Sequence, residues 1–249
     1  MTIHEKANAF GPAASAYERG RPTYPDAAVA WLSERLDLRP GRAVVDLAAG
    51  TGKLTRLLVA TGASIIAVEP VAGMRDELAA RVPGIEIVDG TAESMPLPDG
   101  SADAVTAAQA FHWFDGKRAL TELHRVLRPG GGLAPLWNRR DLSQPLQQAL
   151  HDIVDRHRGT TPSHGSGAWR IAFEDTELFT PLEERRFPFV QELDADGLVD
   201  RVVSTSIIAA LPQGERDAIA RQVRALADDE GGRVSLHYET EVFVCRRRS

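Results

Sequence analysis

A strand that runs into a turn of alanines and glycines and leaves it as a helix restricts a chain to few folds, and residues 43–55, AVVDLAAGTGKLT, have that pattern. Ala43, Val44 and Val45 are apolar and partly β-branched, Asp46 ends the run, and Gly50, Thr51 and Gly52 precede an amphipathic stretch carrying Leu54, Leu57 and Leu58. A turn made of Ala48, Ala49, Gly50 and Gly52 has little side-chain bulk, so a ligand can lie against its backbone N–H groups and the following helix N-terminus. Ser64–Val68 reads as a second buried strand that stops at Glu69, where an acid can accept both hydroxyls of a ribose. Dinucleotide enzymes share that acid but usually read G-x-G-x-x-G in the turn. Here the spacing is Ala48-x-Gly50-x-Gly52 with Lys53 following, and Asp46 at the strand tip suits an ammonium better than a phosphate.

Composition narrows the partners. A chain of 249 residues, 43% hydrophobic, can fill the core of one large α/β domain, and a net charge of −6 argues against a nucleic-acid surface. Cys245 is the only cysteine, so neither an intrachain disulfide nor a cysteine-based zinc site is possible. His151, His157 and His164 lack the spacing of a metal triad and read as surface; no metal is expected. No apolar core marks residues 1–18 as a secretory signal, and no apolar run approaches the roughly 20 residues of a membrane span, so a cytoplasmic protein without a membrane partner is expected.

The remaining segments alternate between strand and helix. Pro22 and Pro25 confine helix to 13–18, and Asp26 can cap a helix over 27–38. The turn's helix ends near Gly62, and 71–81 is helical; 85–88 and 102–108 are strands. Residues 117–127 form a helix stopped by Arg128-Pro129-Gly130-Gly131-Gly132, and 132–137 is the fifth strand. A helix over 144–158, a polar loop over 159–167, strands at 183–190 and 234–244, and a helical stretch over 195–226 broken by Pro212 complete the chain.

DLAAGTGKLT, AVEP, GTAESMPLPDGSADAV and HRVLRPGGGL, in that order, resemble the class I S-adenosylmethionine-dependent methyltransferases, of the small-molecule, type 11-like kind. The resemblance covers roughly residues 42–138 and departs at Ala48, where the family most often has its first glycine. It implies a Rossmann-like, seven-stranded, mostly parallel sheet with helices on both faces, the last strand antiparallel, and helical lid insertions. One methyltransferase domain over 1–249 is expected, with a cofactor-covering segment over 1–40, a cofactor-binding core over 41–140, and a substrate lid with the final strands over 141–249. S-adenosylmethionine is the implied cofactor, with S-adenosylhomocysteine as its product.

The F-x-x-x-A-x-x-Y-x-x-x-R-P-x-Y-P stretch at 10–25 resembles a leading segment that folds over the methionine end, which would give Tyr17 and Arg21 the carboxylate. Asp46, Ala48, Gly50, Thr51 and Gly52 would border the amino-acid moiety, and Glu69 with Pro70 the ribose. Met74 would border the adenine or serve as plain core. Thr91, Ala92 and Glu93 can supply the acceptor and backbone donor that adenine needs.

Gln109, Phe111, His112, Trp113 and Phe114 follow the fourth strand at the carboxyl edge, where ligands of open α/β sheets lie. The aromatic rings can exclude water and face the sulfonium. His112 is either a general base or a contact to the cofactor. AQAFHWF lacks the [DN]-P-P-[YFW] of amino-methylating relatives. Trp113, Asn138 and Arg139, with Arg201, Ser204, Thr205 and Ser206 of the lid, are candidates for the substrate side; solvated loop residues are the alternative for Asn138, Arg139 and Arg140.

The expected activity is methyl transfer to an oxygen, nitrogen or carboxylate of a small molecule, by a monomer or homodimer. A cofactor-binding protein that transfers no methyl is the alternative, and a nicotinamide-dependent oxidoreductase is a further one, disfavoured by the turn.

Overall fold

A computed structural model describes residues 18–249. Its strands are β1 (Ala43–Leu47), β2 (Ser64–Val68), β3 (Glu86–Val88), β4 (Ala102–Ala108), β5 (Leu127–Arg140), β6 (Glu183–Asp194) and β7 (Arg233–Arg246), in one sheet of order β3-β2-β1-β4-β5-β7-β6. Strands β3, β2, β1, β4 and β5 pair in parallel. β7 is antiparallel, as the Arg247 N–H to Gly131 carbonyl bond and the Asp141 N–H to His237 carbonyl bond show. This is the Rossmann-like arrangement of the expected fold. Strand order reverses between β1 and β4, so the crevice beyond their carboxyl ends is the natural ligand site.

Helices α1 (Asp26–Leu36), α2 (Thr55–Val59), α3 (Ala72–Arg81) and α4 (Gly116–Val126) cover the sheet. Alternation along β1 supplies both faces: Val45 and Leu47 pack with Val105, Leu123, Trp137 and Phe243, while Val44 packs with Leu32, Leu58, Leu136 and Val242. Burial on both sides explains why these central strands read as apolar runs.

Three local expectations are corrected. Pro25, with extended backbone, takes the N-cap of α1, and Asp26 lies inside the first turn, where its charge favours the helix dipole. The helix after the glycine turn closes at Val59, short of Gly62. The Pro-Gly-Gly-Gly segment does not separate α4 from the fifth strand: β5 starts at Leu127 and passes through it with a register shift opposite Ala102 and Ala104, a bulge that Gly130 admits at φ 75°.

The chain divides into two compact units. One comprises 24–138, 162–187 and 240–249; the other comprises the described part of 1–23 together with 139–161 and 188–239. The second unit has its own core, in which α5 (Pro145–Asp155), α7 (Ala195–Val203), α8 (Ser206–Ala209) and α9 (Gln213–Asp229) contribute Leu150, Ile153, Leu198, Ile208 and Val223 around Leu236 and Tyr238 of β7. The short helix α6 (Ile171–Glu174) belongs to the first unit.

Candidate cofactor cradle and candidate substrate residues

The turn after β1 is held by its own backbone. Ala49 N–H donates to the Val68 carbonyl at 3.3 Å and Gly52 N–H to the Ala49 carbonyl at 3.0 Å. Gly50 and Gly52 have φ of 57° and 85°, and Ala48, at φ 54°, adopts the same left-handed region despite its methyl. The departure at Ala48 is therefore a backbone matter, with an expected cost of roughly 1–2 kcal/mol against glycine. The two glycines serve different ends. A Cβ on Gly52 would lie 2.4 Å from Leu78 Cδ1, so this position lets the turn pack on α3; a Cβ on Gly50 would meet nothing within 4 Å among the described residues.

Both acids of the cradle are buried. Asp46 accepts from Thr55 Oγ1 at 2.6 Å and Thr106 Oγ1 at 2.8 Å. Burial pushes its carboxyl up to about 6, against the pull of the two hydroxyls. Glu69 Oε2 accepts from Gly50 N–H and Oε1 from Val71 N–H, each at 2.9 Å. Burial raises the Glu69 pKa above the ordinary glutamate value, opposed by the Val71 and Gly50 N–H bonds and by the Arg75 charge. A carboxylate has about four acceptor positions, so two remain for ribose hydroxyls. This chemistry, with the bare backbone of the turn at Gly50, fits the nucleoside and amino-acid ends of S-adenosylmethionine.

Pro70 follows Glu69 and is partly buried. Met74 is a core residue of α3 beside Leu78. Thr91 pairs with Ser94 in an isolated bridge, Ala92 is buried, and Glu93 Oε1 accepts from Asp115 N–H at 3.0 Å, tying the β3 end to the start of α4.

At the end of β4, Gln109 has a φ of 59° and donates its N–H to the Leu136 carbonyl at 2.8 Å. A short 3₁₀ turn, Phe111–Trp113, buries Phe111 against Phe114 and Phe173. His112 Nδ1 accepts from Trp137 Nε1 at 3.1 Å, so in its neutral form the proton resides on Nε2. The expectation that His164 is a surface residue is corrected: its ring centroid is 4.3 Å from Trp137 and 5.8 Å from Trp169, and its Nε2 is 3.2 Å from Oε2 of buried Glu241. A histidine in a Gly- and Ser-rich loop gives no sign of burial; Trp169, five residues on, is the one nearby hint. Asn138 Oδ1 accepts from Thr240 Oγ1 at 2.7 Å.

The other unit holds Arg21, Arg139, Arg140, Arg201 and Ser204; Tyr17 lies outside the described residues. Gly20 lets its segment run against α7, since a Cβ there would stand 2.3 Å from the Arg201 backbone nitrogen. The next residue, Arg21, reaches the Ser204 carbonyl at 3.4 Å. Arg201 is buried and donates from Nε to the Tyr238 hydroxyl at 3.0 Å. Ser204, Thr205 and Ser206 are buried as well. Arg139 is exposed, whereas Arg140 is partly buried and flanks Tyr238 in an open cleft of about 670 Å³. Among the described residues, no group of three His, Cys, Asp or Glu side chains is placed to hold a metal ion. No helix among them is long and apolar enough to cross a membrane.

A family model described as a methyltransferase domain matches residues 45–134. An uncharacterized methyltransferase of Mycobacterium tuberculosis is 40% identical over 245 residues, which cover 96% of this chain and 94% of that protein. An uncharacterized methyltransferase-like protein of Schizosaccharomyces pombe is 33% identical over 233 residues, 91% of each chain. Among solved structures, a putative type II methyltransferase from Anaeromyxobacter dehalogenans superposes with a TM-score of 0.67 at 25% identity, covering 91% of this chain and 97% of that one.

Proposed function

The chain belongs to the class I S-adenosylmethionine-dependent methyltransferase family, and from that premise we propose that it methylates an oxygen, nitrogen or carboxylate of a small molecule. The observation that carries the reading is the pairing of Glu69 with Gly50: the acid that would hold the ribose also fixes the turn that would border the methionine. S-adenosylmethionine, when bound, supplies an electrophilic methyl group. The turn of Ala48, Gly50, Thr51 and Gly52 borders its amino-acid end, and Asp46 presents a negative charge toward the ammonium. Glu69 and Pro70 take the ribose; Met74, Thr91, Ala92 and Glu93 border the adenine.

The aromatic group of Phe111, Trp113 and Trp137 excludes water from the reacting centre, where rate gain comes chiefly from positioning. Of the two roles open to His112, the geometry favours a contact. Because Nδ1 accepts from Trp137, Nε2 carries the proton and acts as a donor. Gln109 shares this edge as a cofactor contact, and Asn138 is its candidate substrate residue. The net charge of −6 argues against a nucleic-acid acceptor and for a small one. The whole chain acts as one methyltransferase, as a monomer or homodimer.

The test is a labelled-methyl assay with the full chain on a metabolite extract beside total RNA, DNA and protein. Label in the metabolite fraction is expected, and label confined to macromolecules contradicts the reading.

A further inference from the structure

Charges buried in a protein are ordinarily paired, because an isolated ion loses several kcal/mol of hydration that only a counter-charge and hydrogen bonds return. The unit formed by 139–161 and 188–239 with the described N-terminal residues breaks that rule in one place. Arg201, on α7, is 5% exposed; its Nε donates to the Tyr238 hydroxyl at 3.0 Å, but its Nη1 is buried with no hydrogen-bond partner. Ser204, fully buried one residue past the end of α7, also leaves its Oγ unpartnered. Arg140, at the end of β5, makes no hydrogen bond or ion pair among the described residues. Burial, and then the charge of Arg201, pull its pKa down to about 9.

The charges facing this group do not neutralise it. Arg21 and Arg158 add repulsion at Arg140. Asp141 and Glu239 line the same cleft as Arg140, Asp141 accepting from Ser143 and Gln144; of the acids beside Arg201 and Arg158, Asp200 holds Arg19 at 2.6 Å and Asp155 holds Arg158 at 2.5 Å. Among the described residues, Tyr238 compensates. Burial alone would raise its phenol, yet the charges of Arg201 and Arg140 and the Arg201 hydrogen bond hold it below its ordinary value. The ring stacks on Phe189 at 5.2 Å, and the Arg201 guanidinium lies 5.9 Å from its centroid, so both are fixed in place.

We propose that Arg140 and Arg201, with the Tyr238 and Ser204 hydroxyls, form a receptor for the anionic oxygens of an acidic small-molecule acceptor. Planar guanidinium forks match carboxylate and phosphoryl oxygens two at a time. Two of them without an acid call for a ligand with about two negative charges, which a dicarboxylic acid or a phosphate monoester supplies. The inference rests on the methyl-transfer reading and narrows its substrate to acids; the group bound here orients the acceptor and need not receive the methyl.

The experiment is titration calorimetry on the full chain, first with S-adenosylhomocysteine and then, on the saturated protein, with glutarate, citrate, inorganic phosphate and the neutral glutaramide at low salt. Saturable binding of a carboxylate or of phosphate, weakened by added salt and absent for glutaramide, is expected. Citrate or glutarate binding identifies an organic-acid site, and phosphate binding alone a phosphoryl site. Arg140→Gln, at the more exposed of the two positions, should lower anion affinity at least tenfold and leave S-adenosylhomocysteine affinity within twofold. Arg201→Lys, which keeps the charge and loses the fork, should give an intermediate loss. If none of the anions binds while S-adenosylhomocysteine does, the receptor is refuted and methyl transfer stands. If Arg140→Gln instead weakens S-adenosylhomocysteine tenfold, the cluster reads the cofactor's own carboxylate, and the proposal is overturned.

Discussion

Asp46 and Glu69, in the unit that carries the glycine turn, each receive two hydrogen bonds from the protein itself, whereas Arg140 and Arg201, in the other unit, form no ion pair with an acid among the described residues. Asp46, Glu69 and Arg201 are buried and Arg140 is partly buried, so the difference lies chiefly in what each needs from a ligand. The acids are held in position before any ligand arrives, and binding there costs little rearrangement. The arginines are charges without a counter-charge, and the unit that holds them is completed only by an anion. On the proposed reading, the first region holds the cofactor, while the second is where one member of the family can differ from another.

The comparison breaks first at Asp46 if its burial has been misread. Its folded-state pKa of about 6 exceeds the ordinary 3.8, so the native state keeps the proton to higher pH. That contribution to stability is fully present below 3.8 and is lost as pH rises through about 6, amounting to roughly 3 kcal/mol at 1.36 kcal/mol per unit. Asp46→Asn removes the dependence. Urea unfolding at pH 4 and pH 7 should show the wild type losing stability relative to the variant over that interval, and parallel profiles would mean that the acid is not desolvated. A ligand ammonium favours the ionised form, so S-adenosylhomocysteine affinity should rise with pH across the same interval in the wild type alone.

Glu69→Ala is expected to weaken S-adenosylhomocysteine by about 1.5–3 kcal/mol, the range for hydrogen bonds to a charged group. The variant also frees Gly50 N–H, so amide exchange at Gly50 should quicken. Wild-type affinity with a loosened turn would separate the two roles and deny Glu69 the ribose.

Ala48→Gly sharpens the contrast by the smallest amount. Relief of the left-handed alanine, offset by the greater unfolded-state freedom of glycine, leaves a gain of about 0.5–1 kcal/mol, readable as a higher denaturant midpoint. A lower midpoint would show that the alanine is not strained.

Much of the cradle was legible because it rests on local signals. The apolar runs of β1, β2 and β4, the small residues at 48–52 and the acid at Glu69 each mark their own element, and these fix the parallel core and its ligand edge. What stayed illegible depends on neighbours distant in sequence. Nothing in the residues around His164 tells of the Trp137 ring it lies against or of Glu241, 77 positions on. The Gly130 bulge reads as a helix stop because glycine serves both ends equally well. Arg201 was singled out in the sequence as a candidate for the substrate side, but its burial beside Tyr238 follows from the packing of α7 on β7.

The central claim is that the turn at Gly50 and the acid at Glu69 form one site for S-adenosylmethionine. Titration calorimetry of the full chain against S-adenosylhomocysteine and against a nicotinamide dinucleotide tests it most directly. The account predicts saturable binding of S-adenosylhomocysteine at one site per chain and none of the dinucleotide. Heat with the dinucleotide and none with S-adenosylhomocysteine would contradict it.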